Sequence, residues 1–116
     1  MNVLKSLFGG GSTEAITASE AKTLLDGAKP PFVVDVREPS EYATGHIAGA
    51  KLMPLGDLDA RMAELPKDRQ LLCVCASGAR SSMATRRLSQ AGYEVINLRG
   101  GMMGWNTAKL PIKKGK

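Results

Sequence analysis

The sequence contains no apolar run near the ~20 residues that a membrane-spanning helix requires. Residues 1–8 are also too short, and too interrupted by polar side chains, to form the apolar centre of a secretory signal peptide. We therefore expect a cytoplasmic protein with no firm membrane association. At 116 residues, the chain can bury the core of one domain without disulfide or metal cross-links.

Cysteine and histidine are scarce, which limits the chemistry that cross-links or metals could supply. The two cysteines and the single histidine, His46, do not provide an ordinary tetrahedral metal-ligand set. Cys73 and Cys75 fall in one apolar stretch, where an extended backbone would hold their Cα atoms about 6.6 Å apart. That separation is at the long limit for a disulfide. We expect no metal, no structural disulfide and no organic cofactor.

Aromatic residues are also few, at 4% of the chain, and the net charge of +5 is unevenly distributed. The excess lies in Lys5 and in four lysines near the other end, while the residues between them carry as many acidic as basic side chains. The chain lacks both a basic helical stripe and interleaved aromatics, which argues against nucleic-acid binding. We expect a flexible segment over residues 1–13, one domain over 14–108, and a basic tail over 109–116.

Strand-like and helix-like stretches alternate through the rest of the chain. The two strongest strand predictions are residues 32–36, which are largely β-branched and carry no charge before Asp35, and residues 71–75, which are apolar. Residues 81–91 predict a helix on which Met83, Ala84 and Leu88 face inward, and residues 55–65 predict a second amphipathic helix. This alternation predicts an α/β fold with a mainly parallel central sheet of about five strands and helices on both faces. Ligands of such sheets bind beyond the carboxyl ends of the strands.

The most informative stretch follows the second strong strand. It reads Cys75-Ala76-Ser77-Gly78-Ala79-Arg80. A cysteine at the end of a buried strand, followed by a glycine-containing loop and a helix, predicts an anion-binding loop with a nucleophile at its base. Inward-facing amides and the helix N-terminus both favour the thiolate, which is the reactive form of cysteine.

Three stretches together make the chain resemble the single-domain rhodaneses, the thiosulfate sulfurtransferase-like family. They are Asp35-Val36-Arg37-Glu38 with Glu41-Tyr42 and the run from Gly45 to Ala50, then the loop that starts at Cys75, and then Leu98-Arg99-Gly100-Gly101-Met102 with Gly104-Trp105. The resemblance covers roughly residues 14–108 and implies a rhodanese-like parallel α/β fold. It also implies sulfane-sulfur transfer, in which Cys75 takes sulfur from thiosulfate or a persulfide and passes it to a thiophilic acceptor.

The resemblance implies roles for the remaining site residues. Cys75 would be the nucleophile, and the loop from residue 76 to residue 80 would bind the substrate. Its members are Ala76, Ser77, Gly78, Ala79 and Arg80. The small side chains would leave the sulfur accessible, and Arg80 would steer a small anionic donor. The acceptor would be a thiol or another protein.

Several residues near this loop have predicted supporting roles. Asp35 and Arg37 are expected on the same rim as Cys75, mainly as a salt-bridged brace, and Ser81 as a helix cap or a contact to substrate oxygens. His46 is interpreted as structural. Cys73 is interpreted as a core residue, with a resolving thiol as the alternative.

Two other functions compete with sulfur transfer. Cysteine-dependent phosphatases and arsenate reductases are one alternative, but the phosphatases that share this fold have five residues between cysteine and arginine, whereas four separate Cys75 from Arg80. The shorter loop favours a sulfur atom over a tetrahedral phosphate. The other alternative is a non-catalytic or carrier module that relays sulfur between proteins.

Overall fold

The computed structural model of the protein describes residues 14–115. Its five strands form one parallel sheet in the order β1-β5-β4-β2-β3. The strands are β1 (Ala15–Ile16), β2 (Phe32–Asp35), β3 (Lys51–Leu52), β4 (Leu71–Val74) and β5 (Val95–Leu98). The α-helices are α1 (Ala18–Leu25), α2 (Pro39–Thr44), α3 (Leu58–Arg61), α4 (Ala79–Gln90) and α5 (Gly101–Thr107). The predictions for residues 1–13 and for residue 116 lie outside the described residues.

Helices cover both faces of the sheet, as the alternating pattern predicts. Strand β4 is central and buried along its whole length because β2 and β5 pair with it on either side. On one face, the core combines strand residues with residues of α1 and α5, including Ala21 and Trp105. On the other face, it combines strand residues with residues of α3 and α4, including Leu58 and Leu88.

Helix α4 starts at Ala79, two residues earlier than the apolar pattern predicts. Gly78 precedes it with φ of +106°, a conformation that glycine adopts without a steric penalty and that turns the chain sharply from loop to helix. The buried stripe of α4 consists of Ser81, Ala84, Thr85 and Leu88. The expectation that Met83 faces inward is wrong, because this residue lies beside the stripe and is 46% exposed.

Residues 55–65 do not form the single amphipathic helix that their pattern predicts. Two 3-10 turns, Leu55–Asp57 and Met62–Glu64, flank the one-turn helix α3. The segment still buries Leu58 and Leu65, so the predicted apolar side is retained although the helix is broken. The hydroxyl of Tyr93 donates to the Met62 carbonyl at 2.6 Å and holds the second turn against the domain.

The expected basic tail lies against the domain over the part that the structure describes. His46 and Lys113 form an antiparallel bridge in which each backbone N–H donates to the other carbonyl, at 2.9 and 2.8 Å. The Trp105 indole N–H donates to the Pro111 carbonyl at 2.9 Å. Residues 109–115 therefore extend the packed structure beyond the predicted boundary at residue 108.

Candidate active site

Cys75 follows the last residue of β4 at the carboxyl edge of the sheet, where the sequence predicts the site. Asp35, at the end of the neighbouring strand β2, pairs in register with Val74. The register therefore places the stretch that begins at Asp35 and the loop that begins at Cys75 at the same edge of the sheet. The third stretch reaches the same rim because the N-terminus of α5 contacts the loop after Cys75.

The entry to the Cys75 loop is docked on the N-terminus of α5. The backbone N–H groups of Met102 and Met103 donate to the carbonyls of Cys75 and Ala76 at 2.8 and 3.0 Å. The approach is so close that a Cβ placed on Gly101 would lie 2.3 Å from the Cys75 carbonyl oxygen. Only glycine fits between the helix and the loop. With these carbonyls bound to α5, the peptide N–H groups of the loop are free to face the sulfur.

The sulfur of Cys75 accepts a hydrogen bond from the Gly78 N–H at 3.0 Å. The Ser81 hydroxyl lies 3.3 Å from Sγ, and its single proton is shared between Sγ and the side-chain oxygen of Asn97. Burial by itself raises the pKa of Cys75. Hydrogen bonds from the Ser81 hydroxyl and from the backbone of Ser81, Gly78 and Ser77 outweigh that effect, so the pKa of the thiol falls below its ordinary value. The geometry therefore favours the thiolate.

The sulfur lies deeper than the sequence suggests. The small side chains of the loop led us to expect an open mouth, but Cys75 is only 1% exposed and packs within the core cluster on the α4 face. The neighbouring Ala76 is partly exposed, and Ser77 is exposed. The residues around the sulfur therefore cover it in this conformation.

Asn97 is a site residue that sequence reasoning missed. It lies in β5, is 8% exposed, and its side-chain N–H donates to the Gly78 carbonyl at 3.2 Å. Its side-chain oxygen contacts the Ser81 hydroxyl. Asn97 therefore holds both groups that bind the sulfur of Cys75. One signal was available, since Asn97 is the lone polar residue in an otherwise apolar strand.

The sequence predicts that Arg80 is free to bind an anionic donor, but the structure shows its side chain in an ion pair. Its guanidinium makes a bidentate ion pair with the Glu41 carboxylate of α2, at 2.8 and 2.7 Å. The hydrogen bonds from Arg80 lower the pKa of Glu41 to about 2, so the carboxylate is ionised at neutral pH. Glu41 belongs to the first stretch of the resemblance, but no local pattern predicts a contact with a residue so distant in the chain.

Asp35 and Arg37 form the buried brace that the sequence predicts. The Arg37 guanidinium donates to the Asp35 carboxylate at 2.9 and 2.8 Å, and also to the Gly45 carbonyl at 2.8 Å. The two side chains are only 5% and 1% exposed. His46 is buried, stacks on Tyr42 with ring centroids 3.6 Å apart, and places Nδ1 2.8 Å from the Tyr42 carbonyl oxygen. These contacts agree with structural interpretations of Arg37 and His46.

Cys73 and Cys75 are both buried, but their pKa values shift in opposite directions. Both are free thiols. Cys73 is fully buried, and this burial raises its pKa to about 12. Its sulfur therefore stays protonated at neutral pH, as expected of a core residue.

The structure describes residues 14–115, and two features are absent from them. No three His, Cys, Asp or Glu side chains cluster there so as to hold a metal ion. No helix in the same range has the length and apolar character needed to cross a membrane.

Comparisons with known proteins agree with this geometry. Residues 17–108 match the family model of the rhodanese-like domain. A protein from Allochromatium vinosum named "Sulfurtransferase" is 47% identical over 82 residues, which are 70% of this chain and 77% of that protein. The crystal structure of a rhodanese-like domain protein from Staphylococcus aureus has 35% identity and a TM-score of 0.76, and the match covers 80% of this chain and 91% of that one.

A larger protein contains a similar domain. The crystal structure of thiosulfate sulfurtransferase from Pseudomonas aeruginosa has 33% identity and a TM-score of 0.81, and the match covers 90% of this chain but only 21% of that one. Together with the family model, these likenesses show that this chain belongs to the rhodanese-like sulfurtransferase family.

Proposed function

We propose that the protein moves a sulfane sulfur from a donor to a thiophilic acceptor through a persulfide on Cys75. The observation that carries this proposal is the surroundings of Sγ, which accepts the Gly78 N–H at 3.0 Å and has the Ser81 hydroxyl 3.3 Å away. These contacts lower the pKa of a cysteine at the end of a central strand. The membership in a family with named sulfurtransferases supports the same chemistry.

In the first half-reaction, the Cys75 thiolate attacks the outer sulfur of the donor. A new S–S bond forms to Cys75, the donor's own S–S bond breaks, and its electron pair leaves with the remainder of the donor. Thiosulfate would leave as sulfite, and an organic persulfide R–S–SH would leave as the thiolate RS⁻. In the second half-reaction, the acceptor attacks the outer sulfur of the persulfide, and the Cys75 thiolate leaves. No net oxidation is needed, and the cycle is an ordinary ping-pong scheme.

The loop stabilises the charge at each stage. The thiolate is present both before the first transfer and after the second, and the Gly78 and Ser81 donors serve it in both states. The lowered pKa of Cys75 supplies the thiolate without a general base. This fits a site in which His46 is occupied by Tyr42 and does not act on the sulfur.

A groove beside the loop gives the reactants a place to approach. It has a volume of about 440 Å³ and runs between α2 and α5. Ala76 lines it together with Glu41, Met102 and the exposed Met103. Because Cys75 is covered, we infer that loop displacement on the Ala76 side precedes sulfur transfer. The groove has room for the organic part of a thiol or for a loop of an acceptor protein.

The experiment that tests this function is sulfur loading followed by intact-mass measurement. Purified protein is incubated with thiosulfate or with an organic persulfide, and its mass is recorded before and after reduction. We expect a reversible gain of about one sulfur atom per chain, since there is one activated nucleophile. C75S should abolish the gain, whereas the matched variant C73S should retain it, because the Cys73 thiol is buried and protonated. Loading that survives C75S would refute the assignment.

The same purified protein also distinguishes an enzyme that turns over from a sulfur carrier and from a phosphatase. Transfer of the loaded sulfur to cyanide or a small thiol indicates a turning-over enzyme. Stable loading with release only to another protein indicates a carrier. Hydrolysis of an aryl phosphate without any loading would favour the phosphatase alternative and would contradict the proposal.

A further inference from the structure

We propose that Glu41 is a specificity-determining residue, which holds the Arg80 charge and thereby disfavours doubly charged sulfur donors such as thiosulfate relative to organic persulfides. This inference rests on the proposed function, since it concerns the donor of the same reaction. It departs from the simplest interpretation of the loop, in which Arg80 attracts anions. The observation behind it is the bidentate Arg80–Glu41 pair at the mouth of the site.

The pair consumes the hydrogen-bonding geometry that Arg80 would offer to an anion. Two of the five N–H donors of the guanidinium, one on each terminal nitrogen, are taken by the two carboxylate oxygens, so the fork between these nitrogens is already occupied. The side chains are 35% and 33% exposed, which places the pair at the surface beside the loop. Glu41 also lines the groove by which we expect the donor to approach. A donor in that groove therefore meets a carboxylate as well as a cation.

The positive charge of Arg80 has several negatively charged neighbours. The pKa of Arg80 is raised, first by the hydrogen bonds to the Glu41 carboxylate and also by the nearby charges of Glu41, Cys75 and Glu38. One cation thus faces two carboxylates and the nucleophilic thiolate. Arg37, which lines the groove, is paired with the buried Asp35. A dianion that enters adds two negative charges to a groove whose one lining cation among the described residues, Arg37, is already paired.

An organic persulfide avoids this penalty. It carries at most one negative charge at its sulfurs, and its organic part can lie against Ala76 and the exposed Met103 in the groove. The transfer is balanced as Cys75–S⁻ + R–S–SH → Cys75–S–SH + RS⁻, in which the proton stays on the transferred sulfur. Thiosulfate would undergo the same exchange with sulfite as the leaving group, but its approach works against the local charge.

The test replaces Glu41 by glutamine and compares two donors. E41Q removes the negative charge but keeps an oxygen that can accept the Glu38 backbone N–H, which Glu41 binds at 2.8 Å. The start of α2 is therefore preserved. The measured quantity is the second-order rate constant for loading of Cys75, obtained by rapid mixing and intact mass. The donors are thiosulfate and the hydropersulfide of 2-mercaptoethanol, generated in the assay.

The matched control is E64Q, which breaks another glutamate–arginine pair on the surface. Glu64 accepts two hydrogen bonds from Arg61, both at 3.1 Å, and does not line the groove. E41Q and E64Q therefore change the net charge by the same amount, but only E41Q releases Arg80 from its ion pair.

We expect E41Q to raise the thiosulfate rate constant about fivefold to tenfold relative to the hydropersulfide rate constant, the size expected for one charge contact near water. E64Q should leave the ratio unchanged. Because both rates use the same protein, partial unfolding cancels from the ratio. An unchanged or lowered ratio in E41Q would overturn the role of Glu41 while leaving sulfur transfer intact. Failure of the unsubstituted protein to load from either donor would overturn the proposed function and this inference with it.

Discussion

Gly101 offers a sharp test of how the loop around Cys75 is held. Its backbone has φ of +55° and lies against the loop, so a Cβ would be 2.3 Å from the Cys75 carbonyl oxygen and 2.6 Å from the carbonyl carbon and oxygen of Ala76. These contacts are with backbone atoms, which cannot rotate away as a flexible side chain does. Substitution by alanine must therefore separate the N-terminus of α5 from the loop.

Gly49 is the matched control for this substitution. Its φ is +84°, which also disfavours alanine, but a Cβ there would meet no atom within 4 Å. The left-handed backbone alone costs alanine about 1–2 kcal/mol. We therefore expect G49A to lower the free energy of unfolding by about 1–2 kcal/mol and to load sulfur normally.

G101A should lower the free energy of unfolding by more than G49A does, because it also breaks two hydrogen bonds. The Met102 and Met103 N–H groups donate to the Cys75 and Ala76 carbonyls, and each such bond contributes about 1 kcal/mol. The expected loss is about 3–4 kcal/mol of unfolding free energy in urea denaturation. Sulfur loading, measured by intact mass on folded protein, should slow as the loop N–H groups move from Sγ. Equal losses of stability in G101A and G49A, with equal loading, would refute this account of the loop.

Two further substitutions test the groups around the site. S81A removes a hydroxyl donor to the Cys75 sulfur, so the Cys75 pKa should rise by about one unit, measured from the pH dependence of alkylation. The neighbouring variant S82A should leave that pKa unchanged, and an unaltered value in S81A would contradict a role for its hydroxyl. D35N leaves the buried Arg37 guanidinium without its counter-charge, so the free energy of unfolding should fall by about 3–5 kcal/mol in urea. The exposed variant D59N is the control, and a loss in D35N no larger than in D59N would exclude the proposed brace.

Much of the fold could be predicted because its signals are local. The apolar runs that became β2 and β4 carry no charge before Asp35 at the end of β2, and such runs are typical of strands buried on both faces. The order of strand, loop and helix placed Cys75 at the carboxyl edge of the sheet. The same reasoning predicted the partnership of Asp35 and Arg37, since they are two residues apart at the end of β2.

The contacts that were missed depend on elements distant in sequence. The pairing of Glu41 with Arg80 joins α2 to the first turn of α4, and the contact of Asn97 with Ser81 joins β5 to α4. Nothing in either local pattern specifies the partner. Met83 was misplaced because its apolar character was taken as evidence of burial, whereas single exposed apolar residues are common on protein surfaces. The depth of Cys75 depends on how closely α5 holds the loop, which side-chain size alone does not reveal.

The central claim is that the loop lowers the pKa of Cys75 and so raises the share of thiolate at neutral pH. The most direct measurement is the rate of Cys75 alkylation as a function of pH, followed by peptide mass spectrometry so that Cys73 is distinguished. Because the Cys75 pKa is lowered, the rate should rise with pH to a plateau whose midpoint lies below the ordinary cysteine value of about 8.5. A midpoint at or above that value would contradict the account.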